Sequence, residues 1–380
     1  MKDAIAKSIY LSDYQVSNFL IDRTDLSFEL GDEITVVRAK MAIRRNPQCQ
    51  RNADRTLLLD GGVDLQLQSF SVDGRLLGDD DYRRDGETLA IFDFPEQALL
   101  ESVVHIKPQL NTALNGLYQS RGMFCSQCEA QGFRQITFYL DRPDIMAEFS
   151  TEIVADAQRY PVLLSNGNPI TREILSDGRH RVVWHDPFVK PAYLFALVAG
   201  SLSVIEDSFV TCSGRTVALQ IFVEDKDTDK CAHAMTSLKK SMRWDEEVYG
   251  REYDLDIFMI VAVDDFNMGA MENKGLNIFN TSAVLANPAT TTDASFQNVE
   301  AIVAHEYFHN WSGNRVTCRD WFQLSLKEGF TVFRDAQFSA DMNSPTVKRI
   351  QDVAFLRTHQ FAEDGGPMSH PVQPDSYMEI

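Results

Sequence analysis

Between residues 33 and 202 the hydrophobic positions follow the pattern of short β-strands separated by turns. Strand-like runs occupy residues 34–43, 56–59, 64–72, 88–92, 134–140, 182–184 and 193–198. Turn-forming pairs punctuate them, among them Asp73-Gly74, Asp85-Gly86, Asn115-Gly116 and Asp177-Gly178. Many short strands with Gly/Asp turns predict an N-terminal antiparallel β-sandwich domain over residues 1–201.

After a boundary near residues 200–203 the pattern becomes mixed. Residues 216–223 and the nearly continuous apolar run 255–263 predict strands. Residues 231–249 carry apolar side chains at helical spacing, and residues 345–361 predict a further helix. The sequence therefore predicts a multidomain protein, β first and then α+β, with a second domain over residues 202–380.

One predicted helix carries closely spaced ionisable side chains. Val299 and Val303 belong to its apolar stripe, and Ser295 is its predicted N-cap. His305 and His309 are four residues apart, so they point to the same side of the helix. Two imidazoles in this arrangement can take two corners of a tetrahedral zinc site. Glu306, which follows His305 in the sequence, would lie beside the metal but point in a different direction.

A third ligand has to come from another element. Eighteen residues separate His309 from Glu328, which lies where a second helix is predicted to begin. Two His and one Glu leave a fourth position for water, as in catalytic rather than structural zinc sites. The alternative is that Ser325 and Glu328 form a capping box that only satisfies a helix N-terminus.

Composition excludes some partners. The formal net charge of −19 argues against nucleic acid, and no run of 18 apolar residues predicts a membrane span. Six cysteines over 380 residues suggest free thiols, and the first 14 residues lack a secretory signal pattern, so we expect a cytoplasmic protein. Cys125 and Cys128 form a CxxC pair, but there is no second such pair to complete a zinc ribbon.

The segment before the metal helix carries a specific resemblance. Gly269-Ala270-Met271-Glu272-Asn273 resembles the GAMEN signature of zinc aminopeptidases of the aminopeptidase N family. Together with His305, His309 and Glu328 the match is highly specific, and residues 123–130, 194–200 and 321–335 resemble the bacterial alanyl aminopeptidase branch. The resemblance implies a thermolysin-like zinc peptidase domain after the sandwich, one zinc ion, and peptide substrates with a free N-terminus.

The resemblance also implies roles for individual residues. Glu306 would act as general base, and Glu272 and Glu129 would bind the substrate α-ammonium. For Glu129 an exposed loop carboxylate is the ordinary alternative. The implied substrate-binding set is Glu129, Gln127, Met268, Gly269, Ala270, Met271, Glu272 and Asn273. Asp335, seven residues after Glu328, is predicted to orient a ligating imidazole, with an ordinary surface aspartate as the alternative.

Three points stay open in the sequence. Family members use an oxyanion-stabilising tyrosine that would fall just past Ile380, and the context of Tyr377 does not match it, so the chain resembles a C-terminally truncated member. One alternative is therefore an impaired fragment that only binds zinc and peptide N-termini. Another is an epoxide hydrolase of the leukotriene hydrolase kind, against which Ala270 speaks because those relatives carry glycine there. A monomer is expected, and the side-chain preference is not predicted.

Overall fold

The computed structural model describes residues 8–49 and 55–378. Its strands are β1 (Ser8–Tyr10), β2 (Phe19–Glu29), β3 (Thr35–Arg45), β4 (Leu57–Asp60), β5 (Gln66–Val72), β6 (Arg75–Leu76), β7 (Tyr82–Asp85), β8 (Thr88–Ile91), β9 (Gln97–Ile106), β10 (Gly116–Ser120), β11 (Met123–Gln127), β12 (Ala147–Asp156), β13 (Val162–Ser165), β14 (Asn168–Ile174), β15 (Arg179–Lys190), β16 (Leu197–Gly200), β17 (Ser203–Val210), β18 (Thr216–Val223), β19 (Ile257–Val263), β20 (Ala270–Met271), β21 (Leu276–Asn280) and β22 (Ser376–Met378). Its α-helices are α1 (Ala232–Trp244), α2 (Thr281–Val284), α3 (Asp293–Phe308), α4 (Leu324–Met342), α5 (Pro345–Phe355) and α6 (Phe361–Asp364).

The first half of the chain is β-rich, as the alternating pattern predicts. An eight-stranded sheet has the order β14-β15-β12-β2-β3-β9-β5-β6, and a four-stranded sheet has the order β10-β11-β16-β13. Buried and more exposed positions alternate along β3 and β9, so one face of the large sheet packs on the core. The expectation of a purely antiparallel arrangement needs one correction, because β12 and β2 run parallel.

One predicted strand is wrong, and a second is confirmed only at its C-terminal end. Residues 134–140 contain the end of a 3-10 turn (Phe133–Gln135), and Asp60 forms an isolated bridge to Tyr139 there. In the run 193–198, a 3-10 turn (Ala192–Leu194) comes first, and strand β16 begins only at Leu197. Both segments are buried, and a buried apolar run carries no periodicity that distinguishes a strand from irregular chain.

The second half is built on a mixed five-stranded sheet of order β17-β18-β19-β21-β20. Strands β18, β19 and β21 run parallel, whereas β17 and β20 pair antiparallel at the two edges. All seven residues of β19 are buried. Met259 and Val261 join the core of the β-rich half, whereas Phe258 and Ile260 join a second core with α1 and α3. The predicted boundary at residues 201 and 202 stays a prediction, and the first core extends across it.

The predicted helices form with small changes at their ends. The segment 231–249 folds as α1 followed by a π-turn (Asp245–Tyr249), and the segment 345–361 begins with α5. All six cysteines are free thiols, as expected. Among residues 8–49 and 55–378, no helix combines the length and the apolar character that a membrane crossing requires.

Candidate metal centre and peptide site

Helix α3 fixes the positions of both predicted histidine ligands. It begins with Thr292 as N-cap, whose side chain accepts a hydrogen bond from the Ser295 backbone N–H, so the prediction of Ser295 as the cap is wrong by three residues. Asp293 then occupies the first turn, where its negative charge is stabilised by the positive end of the helix dipole. At the other end, His305 lies in the last turn and His309 is the C-cap residue.

The turn after α3 is shaped around His309. The Nδ1 atom of His309 lies 2.8 Å from the backbone oxygen of Ser312. A Cβ at position 313 would come within 2.8 Å of that same ring nitrogen, and Gly313 has a φ of 149°. Glycine is therefore required at this position so that the imidazole can be held against the turn.

Three acceptor atoms converge at the end of α3. The Nε2 atoms of His305 and His309 are 2.9 Å apart, and Glu328 Oε2 lies 3.4 Å from the first and 3.5 Å from the second. Asp335 Oδ2 is 2.6 Å from His305 Nδ1. With Nδ1–H donating to Asp335 in one ring and to the Ser312 carbonyl in the other, each ring in its neutral form presents an Nε2 lone pair to the point that Glu328 also faces.

This donor set fits a small divalent cation. Tetrahedral ligands at zinc distances of about 2.0–2.2 Å lie roughly 3.4 Å from one another. The two distances from Glu328 Oε2 match this value, and the two Nε2 atoms, 2.9 Å apart, are closer than it. Charge points the same way: although burial opposes it, hydrogen bonds to Asp335 and Glu328 raise the pKa of His305 to about 10. The pocket therefore favours a positive charge at the point where the two rings and the carboxylate meet.

The capping-box alternative for Glu328 is wrong. Helix α4 begins at Leu324 after Gln323, so Ser325 lies inside the helix and not at its N-cap. Its hydroxyl donates to the Val372 backbone oxygen at 2.9 Å. Glu328 is therefore free to direct its carboxylate at the two imidazoles.

Glu306 lies beside the three converging atoms. Its side chain is buried, and its Oε2 atom has no hydrogen-bond partner within the described part of the chain. One oxygen each of Glu306 and Glu272 and a nitrogen of His309 lie within 4.8 Å of one another. Burial, together with the negative charges of Glu272 and Glu328, raises the pKa of Glu306 well above its ordinary value. Such a carboxyl group is suited to taking up and releasing a proton.

Glu129 and Glu272 come from distant segments and meet next to the metal centre. Both carboxylates contact the Lys327 ammonium, Glu272 at 2.7 Å and Glu129 at 2.8 Å. The side chain of Glu129 is only 12% exposed, so the alternative of an exposed loop carboxylate is wrong. Burial and the charge of Glu272 raise the pKa of Glu129 to about 7. For Glu272 burial acts in the same direction, but Lys327 outweighs it and lowers the pKa.

The predicted substrate-binding segment lies at an edge of the five-stranded sheet. Ala270 and Met271 pair with β21 on one side, and β20 is the last strand in the order of this sheet. A Cβ at Gly269 would meet no atom of the described chain within 4 Å, so the space beside this backbone is open. The side chain of Met271 packs into the core, so only its backbone faces the edge.

The other predicted contacts have different environments. Gln127 ends β11 and is buried, and its Nε2 atom donates to the Glu129 backbone oxygen at 3.4 Å. Met268 is 44% exposed in the loop before β20. Asn273 is fully buried, and neither atom of its amide has a hydrogen-bond partner in the described residues.

That loop is anchored by the β-rich half of the chain. Ser120 Oγ donates to Asp265 Oδ2 at 2.8 Å, and the Tyr118 hydroxyl donates to the Asp265 backbone oxygen at 2.9 Å. Beyond the loop, Asn314 Nδ2 donates to the Glu272 backbone oxygen at 2.9 Å. The edge strand is therefore held between β10 and the turn that follows the histidines.

The fold and the donor set of this centre match those of a family of metallopeptidases. A family model described as the Peptidase M1 N-terminal domain matches residues 27–194, and one described as the Peptidase family M1 domain matches residues 233–380. The chain belongs to peptidase family M1. The resemblance inferred from its motifs is thereby confirmed.

Individual relatives are close in sequence but much longer. The chain is 53% identical over 380 residues to the protein named Aminopeptidase N of Caulobacter vibrioides, covering 100% of this chain and 43% of that protein. It is also 53% identical over 372 residues to Aminopeptidase N of Escherichia coli, covering 98% of this chain and 42% of that protein. The solved structure of Legionella pneumophila aminopeptidase A in complex with aspartic acid has a TM-score of 0.87 and 37% identity, covering 91% of this chain and 41% of that one. The chain thus spans less than half the length of these relatives.

Proposed function

We propose that this chain carries the zinc centre and the N-terminus recognition site of an aminopeptidase, which hydrolyses the N-terminal peptide bond of peptides. The observation that carries the proposal is the convergence of His305, His309 and Glu328 on one point, with Glu306 beside it. The names of the relatives support the substrate class. Zinc is proposed over other metals because two imidazoles and one carboxylate in a tetrahedral set suit it.

The proton steps are assigned to Glu306. A zinc ion, when bound, lowers the pKa of a coordinated water and polarises the scissile carbonyl. Glu306 accepts the proton of the attacking water and passes it to the leaving amine. Its raised pKa supports this assignment, because a carboxylate with a higher pKa is a stronger base toward the attacking water. Asp335 holds the ring of His305 in the tautomer that ligation needs.

Recognition of the free N-terminus is assigned to Glu129 and Glu272. Their carboxylates lie next to the metal centre, so they can bind an α-ammonium one residue away from the scissile bond. The edge strand β20 supplies backbone groups for pairing with an extended peptide, and the open space beside Gly269 lets that peptide approach closely. Gln127 and Met268 are proposed to border the first side-chain pocket.

The test combines metal analysis with an activity assay. The purified chain is expected to hold one equivalent of zinc and to hydrolyse an aminoacyl amide. Glu306→Gln should keep the zinc and lose about 10²–10⁴ in rate, the usual contribution of a general base. Glu300→Gln is the matched control, because Glu300 is a buried glutamate on the same helix that pairs with Lys240 instead. A folded chain that binds no zinc would refute the proposal.

A second candidate is binding of zinc and peptide N-termini without turnover. Its motivation is that the sequence context of Tyr377, which lies in β22 and packs against Phe322 at a ring distance of 4.9 Å, does not match the oxyanion-stabilising tyrosine of the family. A site in which no group donates to the oxyanion typically loses about 10²–10³ in rate. Stoichiometric zinc and measurable peptide binding without hydrolysis would decide for this candidate. No observation favours the epoxide hydrolase alternative.

The proposed partners are peptides with a free N-terminus. A cytoplasmic location, supported by the six free thiols, and a monomeric state stay predictions. Size-exclusion chromatography with light scattering tests the monomer directly. Fractionation of cells that express the full reading frame tests the location.

A further inference from the structure

A buried lysine occupies the space between the metal centre and the amine site. Lys327 is 2% exposed and directly precedes Glu328 on α4. Its Nζ atom lies 2.8 Å from Glu129 Oε1, 2.7 Å from Glu272 Oε1 and 2.5 Å from Glu328 Oε1. An ammonium group has three N–H donors, so these three carboxylates take all of them.

Glu328 faces two cationic positions at once. Its Oε2 atom is turned to the Nε2 atoms of His305 and His309, whereas its Oε1 atom is turned to Lys327 Nζ. A carboxylate that spans two cations is the arrangement expected in two-metal sites, where the ions are about 3.5–4 Å apart. In this chain the second position holds an ammonium group.

The carboxylates around that second position form a ligand set of their own. One oxygen each of Glu129, Glu272 and Glu328 lie within 4.8 Å of one another. Oxygen ligands in this number suit divalent cations. Without Lys327 the buried carboxylates of Glu129 and Glu272 would lose the cation they are paired with, and a buried uncompensated charge is strongly unfavourable.

We propose that Lys327 is a built-in monovalent cation that fills the second metal position, keeps the centre mononuclear and leaves the amine site a charge of −1. When Glu129 and Glu272 are both ionised, the charge follows from these two carboxylates and one ammonium, with Glu328 assigned to the zinc ion. One substrate α-ammonium then neutralises the site. A second divalent ion does not bind, because Lys327 occupies its position. This inference rests on the proposed zinc centre and extends it to the selection of the cation beside it.

Two other roles for Lys327 fit the contacts less well. A donor to the reacting carbonyl needs a free N–H, and all three are directed at carboxylates. A purely packing role would make the charge dispensable once the volume is kept. Only the built-in cation predicts that removing the charge changes how many metal ions the protein holds.

The experiment counts zinc in variants of the full chain. After equilibration with excess zinc and removal of free metal, we expect one equivalent in the unmodified chain and two in Lys327→Met, measured by elemental mass spectrometry. Lys327→Arg keeps the charge and should hold one. Adding Glu129→Gln to Lys327→Met removes a ligand and should return the count to one.

The matched control is another buried lysine that pairs with a carboxylate. Lys190 Nζ lies 3.1 Å from Asp186 Oδ2, and its side chain is 1% exposed. Lys190→Met should hold one equivalent, as the unmodified chain does. Two equivalents in this control would overturn the inference, because the extra metal would then follow from the loss of any buried lysine.

The outcomes separate this inference from the proposed function. No zinc in the unmodified chain refutes the zinc centre itself, whereas one equivalent in both that chain and Lys327→Met refutes only the role of Lys327. Should Lys327→Met require metal to fold, refolding is titrated with zinc and followed by circular dichroism. Folding that completes at two equivalents supports the inference, and folding that completes at one equivalent or without zinc overturns it.

Discussion

The contact between Asp335 and His305 gives a prediction whose size follows from the structure. Asp335 Oδ2 lies 2.6 Å from His305 Nδ1, and the two side chains are only 17% and 19% exposed. Asp335→Asn keeps the shape of the side chain but removes the charge that makes the ring a better ligand. Loss of such a support typically costs 10–100-fold in metal affinity, which is about 1.4–2.7 kcal/mol.

The assay is competition for zinc against a chelator of known affinity, with the dissociation constant of each variant as the readout. The control is Asp341→Asn, because Asp341 lies on the same helix and accepts a hydrogen bond from Trp244 Nε1 at 2.8 Å, away from the metal centre. We expect the control to bind zinc as the unmodified chain does. A dissociation constant for Asp335→Asn within twofold of the unmodified value would show that Asp335 does not support the ligand.

Three further predictions concern stability, pH and peptide binding. Arg334→Met should lower the free energy of unfolding by about 3–5 kcal/mol in urea denaturation, because it leaves the fully buried Asp245 carboxylate without its cation. Peptide binding, measured by calorimetry on the Glu306→Gln protein, should weaken as the pH falls below about 7, because Glu129 then takes up a proton and loses its attraction for an ammonium group. Ser120→Ala should lower peptide affinity several-fold and leave zinc affinity unchanged, because it frees the loop before β20.

Each of these predictions has a control. Arg159→Met removes an ion pair with Asp32 whose side chains are 53% and 67% exposed, and it should leave the free energy of unfolding nearly unchanged, because solvent screens exposed pairs. A similar cost for both arginines would contradict the burial argument. Glu129→Gln should abolish the pH dependence near 7, and a dependence that persists would assign it to another group. Zinc affinity that falls in Ser120→Ala would place the effect in the metal centre rather than in the loop.

The spacing of residues along the sequence is sufficient to predict how the two histidines on helix α3 are oriented. The separation of His305 and His309 fixes their common direction as soon as α3 forms, and the short connection to α4 brings Glu328 within reach. Glu129 could be placed only through resemblance, because the contact that brings it to Glu272 joins segments 143 residues apart. Contacts of this range depend on the packing of whole sheets, which no local pattern encodes.

Helix α4 shows why Lys327 was missed. Its large apolar side chains Leu326, Phe330 and Phe333 are exposed, whereas Lys327 and Arg334 are buried. A helix normally buries its apolar stripe, so periodicity assigns the two cations to the solvent side. The burial of their charges follows from specific carboxylates on other elements, and this pairing becomes visible only in three dimensions.

The double-sided burial of β19 has a practical consequence for dissecting the molecule. A protein trimmed to residues 202–380 would keep the metal ligands but expose Met259, Val261 and Ile278 to water, since these side chains complete the core of the other half. Exposed apolar surface of this kind promotes aggregation. Attempts to obtain a minimal soluble peptidase module should therefore retain the strands from the first half or replace those side chains with polar ones.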